Sequence, residues 1–202
     1  MEASFLSHIP VYARVPFIIG LVGLVIWSLA ERVFYVSGQY QTKGDTRDRG
    51  SYLALAVFWY AAVLGSLVDA NWLRWSTFSE KWVSLLYLGV PFLLAGAVAR
   101  VLARWTLGKS FSHVVQTSGS HQLVTTGIYG LVRHPAYLGT LCLLIGFPLC
   151  FGSWLGLGIA LVFGVPAQIY RIQVEEQALR DWFGEDYEEY CRRTKRLVPF
   201  IW

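Results

Sequence analysis

Four stretches of this 202-residue chain run for at least the length of a bilayer crossing with almost no charge, which leaves few folds open to it. A helix needs about 20 predominantly apolar residues to cross the hydrocarbon core, where every backbone N–H and C=O must be paired within the protein. The stretches are Val15 to Val36, Tyr52 to Ala70, Trp82 to Ala103 and Tyr137 to Tyr170. The last is too long for one ordinary span, and it is interrupted by Pro148, Gly152-Ser153 and Pro166, which mark a turn. It reads as a hairpin of two short helices. The expected fold is an all-α integral membrane protein with five transmembrane helices, the last two forming a C-terminal helical hairpin over residues 136–170.

Composition agrees with this. Hydrophobic residues make up 55% of the chain and the mean hydropathy is +0.46, above the range of soluble domains. Nine tryptophans, eleven tyrosines and twelve phenylalanines suit belts at the lipid–water interfaces. If the 37–50 loop faces the cytoplasm, so do the 104–133 segment and the tail. That side then holds all but Arg14, Arg74 and Lys81 of the seventeen Lys and Arg residues. Positive charge retained inside places the N-terminus outside and the C-terminus in the cytoplasm, in the plasma membrane of a prokaryote or the endoplasmic reticulum of a eukaryote. The net charge of +4 is explained by topology, so no nucleic-acid partner is expected. The apolar run after Arg14 exceeds a signal-peptide core and lacks a small-residue cleavage site, so it is expected to remain as the first span. Cys142, Cys150 and Cys191 have no metal-ligand spacing and read as packing residues; no metal site is expected.

Three polar clusters stand apart from the spans. In the first, Gly127 to Tyr137, Arg133 and His134 precede Pro135. Proline pushes the residue before it out of the α region, so a helix should begin at Pro135 with His134 just outside it. The unpaired N–H groups of that helix start, together with its dipole, suit an anion such as a carboxylate. In the second cluster Arg171 and Glu175, four residues apart, share a helix face, with Glu176 beside them. The third holds Ser110 to Gln116 and His121 to Thr126 and runs into the first. Beyond Arg171 the tail alternates acidic and basic residues around Leu179, Trp182, Phe183, Tyr187 and Tyr190, an amphipathic helical pattern that Gly184 should break in two.

The ordered set SFSHVVQ, HQLVTTGIYGLVRHPAYLG, RIQVEE, FGEDYEEY and VPFIW resembles the isoprenylcysteine carboxyl methyltransferase family over residues 108–202. The apolar pattern gives three N-terminal spans in residues 1–105, and the resemblance implies a cofactor-binding and catalytic part in 106–202. The latter comprises a cytoplasmic cofactor-binding segment, the hairpin 136–170 and a cytoplasmic tail 171–202. It implies S-adenosylmethionine as cofactor and a lipophilic methyl acceptor, such as a C-terminal prenylcysteine, entering from the membrane lipid. Cofactor-binding residues carried across are Gln116, His121, Gln122, Leu123, Val124, Tyr129, His134, Pro135, Ala136, Tyr137 and Glu175. Arg171 is the residue expected to meet the substrate, and Arg171, Arg133 and Glu175 are the expected catalytic residues. One departure is the shorter acidic run, Glu175-Glu176 before Gln177, which bears on the substrate pocket.

A carboxylate acceptor is already an anionic nucleophile and needs no general base, which leaves alignment as the enzyme's main task. Methylation of a phospholipid amine or a small thiol would call for proton removal by His134 or a carboxylate. An NADPH-dependent membrane reductase shares an RHxxY element but not the SFSHVVQ and HQLVTTG stretches. A conducting protein is poorly served by spans whose centres lack charge, Asp69 lying near one end. The glycines at 152, 156 and 158 have no preceding strand and suit a turn and close helix packing rather than a nucleotide fold.

Overall fold

The structure, a computed structural model, describes residues 9–38, 45–46, 50–108, 116–117 and 123–198, with the backbone alone for 33–38, 45–46 and 116–117. In chain order the elements are α1 (Val11–Gly38), β1 (Asp45–Thr46), α2 (Ser51–Val68), α3 (Val83–Leu107), β2 (Gln116–Thr117), α4 (Pro135–Phe151), α5 (Trp154–Ile159), α6 (Val165–Phe183) and α7 (Glu185–Arg193). Helix dominates the described residues, and a two-stranded sheet pairs β1 with β2 antiparallel, Asp45 opposite Thr117 and Thr46 opposite Gln116.

Among the described residues four helices are long and apolar enough to cross a membrane: Val11–Arg32, Ser51–Leu73, Glu80–Leu107 and Trp154–Phe183. The 17-residue α4 is shorter, and most of its second half is buried among the others. The expected turn falls at Gly152-Ser153, where Gly152 takes φ 68° and Ser153 Oγ caps α5 by accepting from Gly156 N at 3.1 Å. The second arm is not short. It runs for 30 residues from Trp154 to Phe183, so that Arg171 to Phe183 continue the same rod instead of opening a separate tail. Pro166, read as an interruption, is tolerated because the π turn Ala160–Gly164 has already shifted the hydrogen-bond ladder beside it. Gly184, at φ 55°, makes the expected break before α7.

Large apolar side chains such as Val22, Val25, Leu53, Leu94 and Val162 are exposed on the outer faces of the helices, where lipid is the natural solvent. Inside, Phe17, Trp59, Leu144, Phe147 and Phe151 form the core. Without a hydrophobic drive between helices in lipid, close approach has to supply the adhesion, and small residues permit it. The most extensive contact, α3 with α4, is of this kind. A Cβ at Gly96 would lie 2.8 Å from Gly139 O, and one at Gly139 would lie 2.7 Å from Gly96 O. One turn pair away, a Cβ at Gly89 would stand 2.8 Å from Gly146 O.

The bundle has two dissimilar ends. At one, the carboxylate of fully buried Asp69 accepts four hydrogen bonds, from Trp75 N, Ser76 N, Ser76 Oγ and Ser153 Oγ. These tie the α2–α3 connection to the hairpin turn. At the other end lie the start of α2, the end of α3, the start of α4 and the end of α6.

Candidate active site

Of the residues singled out by the sequence, Tyr129, Arg133 to Tyr137, Arg171 and Glu175 gather at this second end, and the local reasons are legible. Pro135 opens α4 at its first position, where a missing N–H costs nothing, and His134 stands just before it with φ −125°. Tyr137 follows on the first turn. On α6, Arg171 and Glu175 lie one turn apart on the stripe that faces Tyr137.

Tyr137 joins them. Its hydroxyl donates to Glu175 Oε2 at 2.6 Å and accepts from Arg171 Nε at 2.9 Å. Arg171 Nη1 donates in turn to Ser51 Oγ at 2.9 Å. Arg171 is only 2% exposed, and Ser51 is fully buried at the start of α2. The result is a line of four side chains from three helices that fixes a guanidinium and a half-buried carboxylate beside each other. Charge-assisted bonds of this kind are about twice as strong as neutral ones.

Behind this line sits a second carboxylate, given no role by the sequence. Glu176 is 1% exposed and receives Arg196 at 2.8–3.0 Å, His134 Nε2 at 3.3 Å, Arg133 Nε at 3.3 Å and Arg180 at 3.5 Å. Arg133 also donates from Nη1 to the carbonyls of Cys191 and Thr194. Its guanidinium therefore grips the tail. The backbone does the same: Arg133 N donates to Lys195 O at 2.7 Å and His134 N to Arg196 O at 2.9 Å. Tyr190 Oη donates to Tyr129 O at 2.7 Å. The segment after α7 is thus clasped against the start of α4, and Arg196, 20 residues beyond Glu176, completes the cluster.

Tyr129 is buried in the 3-10 turn Gly127–Gly130, which packs on the end of α3. Burial pushes its phenol well above the usual range, and the negative charge of Glu175 pushes it further. It stays protonated at any physiological pH and serves as an O–H group, not a base. Leu123 and Val124 lead into this turn half-buried, and Pro135 and Ala136 line the start of α4. Gln116 is described only through its backbone pairing with Thr46. His121 and Gln122 lie outside the described residues.

The match to known families falls on the same region. Residues 84–186, about half of the chain, fit the model of the phospholipid methyltransferase family. A protein of Oryza sativa subsp. indica named a probable protein-S-isoprenylcysteine O-methyltransferase is 34% identical over 145 residues, 69% of this chain and 73% of that one. The chain belongs to the isoprenylcysteine carboxyl methyltransferase family. The protein-S-isoprenylcysteine O-methyltransferase of Schizosaccharomyces pombe is 28% identical over 186 residues, 83% of this chain and 78% of its own. Isoprenylcysteine carboxyl methyltransferase, solved as a eukaryotic intramembrane Ras methyltransferase, shares the fold. It has a TM-score of 0.59 and 19% identity, covering 98% of this chain and 96% of that one. This member of the family is therefore an integral membrane methyltransferase. The matched stretch contains Arg133, Tyr137, Arg171 and Glu176 but neither Ser51 nor Arg196, so both clusters are completed by residues outside it.

Proposed function

We propose that this protein transfers a methyl group from S-adenosylmethionine to the carboxylate of a lipophilic acceptor, a C-terminal prenylcysteine being the type. The observation that carries the reading is the line Ser51–Arg171–Tyr137–Glu175, which sets a guanidinium and a carboxylate side by side where a polar end meets the bilayer. The names of the relatives support the acceptor class.

The residues present fit the cofactor. Glu175 is a half-buried carboxylate suited to an ammonium group, and the first-turn N–H groups of α4, left uncapped by the His134 side chain, suit a carboxylate. The rings of Tyr129 and Tyr137 suit adenine or a sulfonium. When bound, the cofactor supplies an electrophilic methyl group. Everything else is positioning. Arg171 holds the acceptor carboxylate through its guanidinium N–H groups, Tyr137 bonds both Arg171 and Glu175 and so fixes their orientation, and the clasped tail holds the start of α4 still. No general base is required for an acceptor that is already an anion.

In this reading α4 also crosses the membrane, giving five spans, with the N-terminus outside and both clusters on the cytoplasmic side. The acceptor enters sideways from lipid between the helices. The family model's description as phospholipid methyltransferase keeps an amine acceptor as the second reading. Purified protein supplied with methyl-labelled S-adenosylmethionine separates the two. N-acetyl-S-farnesylcysteine should yield a product that releases methanol in mild base, as a methyl ester does. Base-stable label on phosphatidylethanolamine, with none on the acid, would contradict the carboxylate reading.

A further inference from the structure

Gln168 precedes Arg171 by three residues on α6 and is 2% exposed. Its Nε2 donates to the carbonyl of Tyr137 at 2.9 Å, which fixes which way the amide faces. Its Oε1 is buried and has no hydrogen-bond partner among the described residues. An orphaned buried acceptor costs about 1–3 kcal/mol, a cost that a leucine of similar volume at the same place would not carry. The carbonyl held on its other edge belongs to Tyr137, whose hydroxyl bonds both Arg171 and Glu175.

We infer that Gln168 is a specificity residue whose Oε1 accepts a hydrogen bond from an amide N–H adjacent to the carboxylate of the acceptor. The inference rests on the carboxylate reading of Arg171. Three residues of α-helix rise about 4.5 Å, so Gln168 lies one turn deeper along α6 than Arg171. An acid seated on Arg171 presents its α-substituent at that depth, with its apolar chain running on into the bilayer. A neutral amide N–H suits a neutral carbonyl in this dry setting, whereas a free α-ammonium would call for a carboxylate there. Gln168 therefore separates an acid that carries an adjacent amide from the same acid without one.

The test pairs one side chain with one ligand group. N-acetyl-S-farnesylcysteine and 3-(farnesylthio)propionic acid, the same acid without the acetamido group, are compared on wild type and Gln168→Leu. Both Kd, by calorimetry with S-adenosylhomocysteine present, and kcat/KM are read. Wild type should favour the amide-bearing acid by roughly tenfold, the worth of one such bond, and Gln168→Leu should bring the ratio to about one. An unchanged ratio, including an equal fall for both acids, would assign Gln168 to packing and overturn the inference. Failure of wild type to bind or methylate either acid would overturn the carboxylate reading and the inference with it.

Discussion

Arg171 is a cation almost wholly enclosed within the rod Trp154–Phe183, and its neighbours explain how it is tolerated. Tyr137 and Ser51 take Nε and Nη1, so the guanidinium is held in one orientation before any acceptor arrives. Ser51→Ala should lower kcat/KM by about tenfold, the worth of one hydrogen bond to a charged group, while affinity for S-adenosylhomocysteine stays unchanged. Kinetics and calorimetry on the one variant check both halves. Glu176 answers to a different need. Replacing it with Gln leaves Arg133, His134 and Arg196 facing a neutral group in a mostly buried cluster, a loss of about 3 kcal/mol. The unfolding midpoint in detergent should fall, and the tail that is closed by hydrogen bonds across 58–61 positions should become protease-sensitive first. The spacing of Arg171 and Glu175 was legible in the sequence because four residues make one helical turn. Ser51 was not, since it meets Arg171 across 120 residues and nothing local marks it. Glu176 was visible as a charge, but its partners come from both sides of the chain and only packing reveals them.

The helices show the same division between local and distant information. Apolar length located α1, α2 and α3, and Gly152-Ser153 located the hairpin turn. The length of the rod Trp154–Phe183 was hidden because Pro166 looks like a breaker until a π turn beside it absorbs the lost hydrogen bond. The seam between α3 and α4 depends on glycines whose importance is set by what stands opposite. A Cβ at Gly139 would come within 2.6 Å of Arg100 Cγ and 2.7 Å of Gly96 O. Arg100 is itself fixed, to Glu31 at 2.5 Å and to Thr140 Oγ1 at 2.7 Å, so it has little room to give. Gly139→Leu should force the two helices apart at a cost of about 1–3 kcal/mol or more. Because α4 carries Tyr137, activity should fall more than thermal stability does, and parallel melting and turnover assays would show it. Gly158, with nothing near its Cβ position, should accept alanine with no such loss.

Across the whole molecule, the polar machinery lies at one end and a closed structural clip lies at the other. Asp69, Ser76 and Ser153 satisfy one another and leave the clip with an evident structural purpose. In the orientation we propose from the Lys and Arg distribution, the site faces the cytoplasm. Ser79→Cys should react with an impermeant maleimide in sealed right-side-out vesicles, in a background without Cys142, Cys150 and Cys191. Glu185→Cys should react only after the vesicles are opened; both positions are exposed. The reverse pattern would invert the orientation. The proposed methyl transfer rests on a separation of duties along one face of α6, with Glu175 assigned to the cofactor and Arg171 to the acceptor. Calorimetric titration with S-adenosylhomocysteine of the detergent-solubilised wild type, Glu175→Ala and Arg171→Ala tests that separation. The prediction is micromolar binding in wild type, retained in Arg171→Ala and lost in Glu175→Ala. Equal loss in both variants, or no binding to a well-folded wild type, would contradict it.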